Sequence, residues 1–361
     1  MSEEIDKIEK TITRKKIDKP NIFFNSGCDL LDIQAGGGTG LGHKIGKIIN
    51  IVGDKSSGKT LLACETLAAT YHNPRYKGIF KWVYDDCESG FSFDTRKLYA
   101  MDFIPKDKDK QVKSHTVEEL YCNIRAFLES LKENEYGIYV VDSLDALASE
   151  EEDDRADERY NAFKKGKAYD KKSYGMEKAK YLSKEFFKQL AGMIDEKKAL
   201  LIIISQVRMN VDPMSFEEYS RAGGKALDFY AYNVFWVANI NKILVKGVPV
   251  GITIKIKNTK GKTPRPYRIT FVKMLFDYGV DNVQSNIDYL YDQLTPTGKL
   301  KGKDEGSLMQ WDDSPKMNRK KMIEYIISNN LQKELRKRVI NKWETFEESI
   351  MSHLPPKYSD Q

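Results

Sequence analysis

Histidine is scarce in this 361-residue chain, four in all, and the four cysteines, Cys28, Cys64, Cys87 and Cys122, stand far apart without a C-x-x-C pair. Such spacing suggests neither a zinc site nor a disulfide framework, so reduced thiols in a cytosolic compartment are expected. No apolar run approaches the ~20 residues of a membrane span, and Met1-Ser2-Glu3-Glu4 opens a polar N-terminus rather than a secretory signal. The protein is expected to act inside a cell. No internal repeat is evident. A large charge imbalance is also missing: 59 basic residues against 53 acidic leave +6. That permits a polyanionic partner without demanding one, so the argument for a partner rests on where the charge sits. Hydrophobic residues at 40 % and charged residues at 31 % fit a soluble globular chain, long enough for one large core with an appendage or for two domains.

What is present is organised around Gly53-Asp54-Lys55-Ser56-Ser57-Gly58-Lys59-Thr60, which reads G-x-x-x-x-G-K-T. The apolar run Ile48-Ile49-Asn50-Ile51-Val52 before it reads as a buried strand, and Leu61 to Ala69 after it is rich in helix formers. Strand, loop and helix are the context a phosphate-binding P-loop requires. Gly53 and Gly58 allow backbone N–H groups to turn toward phosphate, and the helix opening near Lys59 places its positive dipole end beneath the anion. Lys59 would reach the β- and γ-phosphates, and the Thr60 hydroxyl would hold Mg²⁺.

Residues 1–24 read as an N-terminal arm, helix-compatible but thin in apolar residues, with a possible role in subunit contact. A second strand, Gly78 to Tyr84, runs into Asp85-Asp86-Cys87-Glu88, acids placed where open α/β sheets bind ligands. A helix near Thr116 to Lys132 leads to a third strand, Tyr136 to Val141, closing on Asp142-Ser143. An apolar strand ending in Asp is the expected partner of a P-loop, its carboxylate organising the Mg²⁺ shell. Between Glu150 and Lys172 the chain is acidic, then basic through Lys164, Lys165, Lys167, Lys171 and Lys172, and reads as a charged surface loop. A helix from about Gly175 to Glu196 precedes a fourth strand, Ala199 to Ile204, that ends in Ser205-Gln206-Val207-Arg208. Further strands are expected at Gly251 to Lys257 and Tyr267 to Lys273, and the alternation of strand and helix implies a largely parallel sheet with helices on both faces. Between Ser314 and Trp343 nine basic residues stand against two acidic, in a segment that reads as a small helical domain with a basic surface.

In this order the motifs resemble one family, the RecA-type recombinases, including bacterial RecA and phage proteins of the UvsX kind. The resemblance runs from about Asn25 to Leu290 and rests on the P-loop, Tyr84 to Glu88, Val140 to Leu147, Ile204 to Met209 and Gly223-Gly224-Lys225-Ala226-Leu227-Asp228-Phe229-Tyr230-Ala231. Lys257-Asn258 and Phe276 to Val280 are further landmarks. It implies a RecA-like α/β P-loop ATPase core over 25–280 with a mostly parallel sheet and DNA-binding loops near 150–174 and 207–222, while the basic, mainly helical domain over 281–361 and the N-terminal arm match the family by position and charge only. It also implies an ATP- and Mg²⁺-dependent helical homo-oligomer that forms on single-stranded DNA, pairs it with a matching duplex and exchanges strands. The expected location is the cytoplasm of a prokaryotic cell or phage-infected host, with single-strand-binding or mediator proteins as further partners.

Carried over residue by residue, the resemblance makes Glu88 the base that activates water, Asp142 the Mg²⁺-organising carboxylate and Gln206 the γ-phosphate sensor below the second DNA loop. Lys257 and Lys260 are the basic groups expected to reach ATP across a subunit interface, although Thr259 stands where the bacterial pattern has its second lysine. Arg208 and Arg221 are candidate phosphate contacts, and Gly223 and Gly224 candidate backbone donors. Phe216 and Tyr219 serve either to stack on bases or to pack the loop. Two other functions share this core: a ring translocase or helicase, for which Arg265 or Arg268 would be the arginine finger, and an ATP-gated single-strand-binding or loading factor without strand exchange.

Overall fold

The computed structural model describes residues 22–107, 111–168, 177–209, 219–221, 223–301, 307–352 and 354. Lys171, Lys172, Phe216 and nearly all of the 1–24 arm lie outside the described residues. The strands are β1 (Phe23–Phe24), β2 (His43–Lys44), β3 (Lys47–Gly53), β4 (Phe80–Asp85), β5 (Tyr136–Val141), β6 (Ala199–Gln206), β7 (Arg208–Met209), β8 (Tyr219–Ser220), β9 (Asn233–Val245), β10 (Val248–Gly261), β11 (Ile269–Leu275) and β12 (Gly279–Asp281). The helices are α1 (Asp29–Gly36), α2 (Lys59–Tyr71), α3 (Thr95–Tyr99), α4 (Val117–Ser130), α5 (Glu150–Lys164), α6 (Glu177–Tyr181), α7 (Phe187–Glu196), α8 (Gly224–Tyr230), α9 (Asn282–Leu290), α10 (Arg319–Ser328) and α11 (Gln332–Ser349). A π-helical turn, Leu182–Phe186, joins α6 to α7.

One eight-stranded sheet in the order β12-β11-β10-β9-β3-β6-β5-β4 carries the fold. The ladders from β9 through β3, β6 and β5 to β4 are parallel, and those from β9 to β12 are antiparallel. Strand β3 is central, and six of its seven residues are buried, which explains why it reads as an unbroken apolar run. Two apolar clusters cover the sheet, one around Ile49, Ile51 and Leu62, the other around Val52, Val141 and Phe186. Helix α4 shows how local sequence sets an element: Thr116 caps it by accepting from Glu119 N at 3.1 Å, and Val117, Leu120, Ile124 and Phe127 repeat on its buried face.

Two expectations change. The stretch from Glu150, expected as a surface loop, begins as the 15-residue helix α5, none of whose residues is buried. It has no apolar face to announce it. Its helicity comes from a capping box between Ser149 and Glu152, acids in the first turn and Lys164 in the last. The basic excess after Ser314 is also partly internal. Arg319 pairs with Asp288 at 2.5 Å, Arg336 with Asp29 at 2.8 Å and Asp32 at 3.0 Å, Arg338 with Asp312 at 2.7 Å, and Lys342 with Asp292 at 2.7 Å. Trp311, Met322, Ile326, Leu335, Val339 and Trp343 belong to the same apolar cluster as Ile49 and Leu62, so α10 and α11 share the core of the sheet.

Candidate nucleotide and nucleic-acid site

The parallel register brings the functional residues to one end of the sheet. Gly53 is the ladder partner of Gln206 on β6 and of Val237 on β9, and Asp85 at the end of β4 is the partner of Val141. Strand ends on this edge therefore present the P-loop, Glu88, Asp142 and Gln206 together, outside the carboxyl ends where α/β sheets bind ligands. Gly53 and Gly58 are required by space and by φ. A Cβ on Gly53 would stand 2.3 Å from Val237 O, and Gly58 lies at φ +89° with Met274 Sδ 2.7 Å from where its Cβ would be.

Lys59 opens α2, is 8 % exposed, and donates from Nζ to the Asp54 carbonyl at 2.8 Å, folding back over the loop. Burial lowers its pKa, opposed by the carboxylates of Asp142 and Glu88. Asp54, Lys55 and Ser56 are exposed, whereas the Ser57 hydroxyl is buried and has no hydrogen-bond partner. A buried, unsatisfied hydroxyl inside a P-loop fits a phosphate oxygen, which would supply the missing acceptor.

Asp142 is the hub. Its Oδ2 accepts from Thr60 Oγ1 at 2.9 Å and from Tyr84 OH at 2.5 Å. Burial raises its pKa, and the hydrogen bonds from Tyr84 and Thr60 oppose the rise. A divalent cation beside Thr60 would favour the same ionised carboxylate, so the donor set fits Mg²⁺. The Asp142-Ser143 peptide is cis.

Glu88 is exposed at the mouth of the site, its backbone N donating to Asp142 O at 3.2 Å. Its Oε1 accepts from Gln206 Nε2 at 2.6 Å and from the Ser143 hydroxyl. Gln206 is fixed at its other end, its backbone N donating to Asp145 Oδ2 at 2.7 Å. Tyr84, Ser143 and Asp145 are thus candidate site residues that no spacing revealed. All three lie within the strand-end motifs; the missing signal was direction, since sequence does not say which side chain turns toward the P-loop.

The remaining predicted residues fall into three groups. A cleft of about 910 Å³ beside the P-loop is lined by Gly53, Lys55, Ser57, Trp236, Lys255 and Lys257, while Lys260 donates to the Phe229 carbonyl at 3.1 Å. Lys164, Lys165 and Lys167 are exposed at the end of α5, with Lys164 Nζ 4.3 Å from the Tyr160 ring centroid. Arg208 and Tyr219 sit in the antiparallel β7–β8 ribbon directly after Gln206. Arg221 is bonded to Asp228 and lies over the Trp236 ring, 7 % exposed. Gly223, at φ +82°, and Gly224 open α8, and Gly224 N donates to Arg221 O at 3.3 Å.

Arg265 and Arg268 are committed elsewhere. Arg265 bonds Glu344 at 2.5 Å, and Arg268 grips Glu347 with two bonds of 2.5 and 2.7 Å. Among the described residues no group of three or more His, Cys, Asp or Glu side chains could hold a metal ion, and no helix is long and apolar enough to cross a membrane.

A P-loop on the central strand of a sheet with four parallel ladders, with the polar end of β6 beside it and the acidic ends of β5 and β4 beyond, defines an α/β P-loop nucleotide-binding protein. The family model described as the RecA N-terminal domain matches residues 4–281. Protein RecA of Mycoplasma mycoides subsp. mycoides SC is 26 % identical over 358 residues, covering 92 % of this chain and 93 % of that protein. Protein RecA of Petrotoga mobilis is 31 % identical over 269 residues, 74 % of this chain and 65 % of that protein. Protein RecA of Malacoplasma penetrans is 27 % identical over 345 residues, 94 % of each. The chain belongs to the RecA family, whose function is ATP-dependent recombination and repair of DNA.

Proposed function

We propose that this chain is a DNA-stimulated ATPase that assembles as a helical homo-oligomer on single-stranded DNA, pairs it with a homologous duplex and exchanges strands. The observation that carries the reading is Gln206. It holds the Glu88 carboxylate through its side chain and begins the segment that leads through the β7–β8 ribbon to Gly223. These contacts support a segment that responds both to a nucleotide at the P-loop and to a strand of DNA, which is what mutual stimulation by two ligands requires.

In this reading the P-loop backbone, Lys59 and Ser57 cradle the ATP phosphates. Thr60 and Asp142 hold Mg²⁺, which when bound offsets phosphate charge. Glu88 accepts the proton of the attacking water, and Ser143 and Gln206 orient its carboxylate. Lys257 is the better placed of the two lysines for a contact with a neighbouring subunit's ATP, because it is exposed whereas Lys260 is tied to Phe229. Lys164, Lys165, Lys167, Lys171, Lys172, Arg208, Arg221, Gly223 and Gly224 serve DNA phosphates, with Phe216 and Tyr219 near the bases. The site of action is the cytoplasm. The ring-translocase reading loses support because Arg265 and Arg268 are bound to α11. A pure loading factor has no use for a base held by two partners.

The test is joint-molecule formation between a single strand and a matching duplex, with ATP and with a slowly hydrolysed analogue. Pairing is expected with both. Failure with both nucleotides, in protein that still hydrolyses ATP when DNA is added, overturns strand exchange in favour of translocation or loading.

A further inference from the structure

The short 3₁₀ turn Leu144–Ala146, directly after Asp142 and Ser143, is the common anchor of both chain excursions expected to meet DNA. The first leaves at Ser149, which caps α5, and returns at Lys178 on α6. Lys178 Nζ donates to Leu144 O at 2.8 Å and to Leu147 O at 2.6 Å, closing the excursion on the turn where it began. The second leaves at Gln206, whose backbone N is bonded to Asp145 Oδ2, and returns at Gly223, where a Cβ would stand 3.3 Å from Leu144 Cδ2. Leu144 and Leu147 are buried in the same apolar cluster as Leu182, Phe186 and Leu227.

We infer that Lys178 is a positioning residue for ATP hydrolysis, transmitting the state of the α5 excursion to the Glu88 carboxylate. Its ammonium holds the carbonyls of the turn from one side. The turn sets Ser143, whose hydroxyl bonds Glu88, and Asp145, which fixes Gln206 on the same Glu88 oxygen. A strand of DNA on Lys164, Lys165 and Lys167 acts on α5, whose cap Ser149 stands three residues beyond this turn, while Lys178 holds the turn from its other side. Two charge-assisted hydrogen bonds to carbonyls are short and directional enough to carry a change of register into the turn. The inference rests on the DNA-stimulated ATPase reading above and adds the residue through which the first excursion exerts its part of that stimulation.

The experiment compares Lys178→Met, Lys178→Gln and Lys178→Arg with the parent. The readouts are ATP hydrolysis with and without oligo(dT), and oligo(dT) affinity from fluorescence anisotropy with a slowly hydrolysed ATP analogue. The ratio of stimulated to unstimulated turnover is expected to fall about tenfold in Lys178→Met, the scale of one charged hydrogen bond, while DNA affinity stays within about twofold. Lys178→Arg should recover most of the ratio. Lys178→Gln keeps a donor without the charge, so it carries the comparison if the methionine variant does not fold. An unchanged ratio in both neutral variants overturns the inference, and so does a fall matched by an equal loss of DNA affinity. A parent that DNA does not stimulate overturns the underlying reading instead.

Discussion

The side-chain amide of Gln206 donates to the Glu88 carboxylate at 2.6 Å, across 118 residues of sequence. Its own backbone N is held by Asp145, so the amide is fixed at one end and reports on Glu88 at the other. Replacing Gln206 by Ala removes a hydrogen bond to a charged acceptor, worth about 1.5–3 kcal/mol, and DNA-stimulated turnover is expected to fall roughly 10- to 100-fold. Nucleotide binding, followed with a fluorescent ATP analogue, should persist. Glu88→Gln should bind ATP and DNA equally well and hydrolyse about 10²-fold more slowly or worse. Normal turnover in Glu88→Gln would remove that residue from its role as base.

How much of this was legible depends on whether a contact is local. The P-loop, the acidic ends of β4 and β5 and the polar end of β6 are visible because each sits where an apolar run stops. The antiparallel half of the sheet was less visible, since alternation marks β10 and β11 as strands but is blind to pairing direction. Helix α5 was hidden because amphipathic periodicity announces buried helices and this one buries nothing. Lys178 and Tyr84 were missed for another reason: their partners, Leu144 and Asp142, are 34 and 58 residues away in sequence. The same distance hides the counter-ions of Arg319 and Arg336, so the C-terminal segment reads as more basic than the surface it presents.

Arg268 separates a structural clamp from a catalytic finger. It makes two bonds to Glu347, whose side chain is 2 % exposed, so Arg268→Ala leaves that buried carboxylate with only Arg265 Nε at 3.9 Å as its ion-pair partner. Breaking one side of a fully buried pair costs about 3–5 kcal/mol; with Arg268 30 % exposed and Arg265 still near Glu347 the loss is about 1–3 kcal/mol, and thermal unfolding should move down by several degrees. ATP hydrolysis measured well below that midpoint should remain within about twofold of the parent. Abolished hydrolysis with unchanged melting would make Arg268 a finger and revive the translocase.

Glu65 on α2 gives the pH prediction. Its carboxylate accepts from Val280 N at 2.7 Å and Tyr99 OH at 3.3 Å, and burial lifts its pKa to about 7, above the ordinary value of 4.5. A carboxyl raised in the folded state binds its proton more tightly there than in the unfolded chain. Its stabilising contribution is therefore full below about pH 4.5 and is lost as pH rises toward 7. Glu65→Gln removes the titration and keeps the hydrogen bonds. The variant's gain in unfolding free energy over the parent should grow from pH 4.5 to 7 and then level off, reaching about 1–2 kcal/mol once partial solvent screening is allowed for. Urea titrations at pH 5, 6, 7 and 8 measure it; a gain that shrinks with pH would contradict the assignment.

Arg221 and Asp228 bear on the second segment proposed to meet DNA. Arg221 lies between the β7–β8 ribbon and Gly223, and its guanidinium is bonded to Asp228 on α8, with only 7 % of the side chain exposed. A cation held this way contributes little field to an incoming phosphate, so its use in DNA binding requires exchange of the carboxylate for the phosphate. Asp228→Asn weakens the competitor while keeping its shape. Single-stranded DNA affinity should rise about two- to fivefold, and the slope of log affinity against log salt should steepen by up to about 0.7, the value of one additional phosphate contact on a single strand. Fluorescence anisotropy with oligo(dT) across a salt series measures both quantities. An unchanged slope would leave Arg221 as the anchor of α8, with the phosphate contacts carried by its neighbours on the ribbon and on α5.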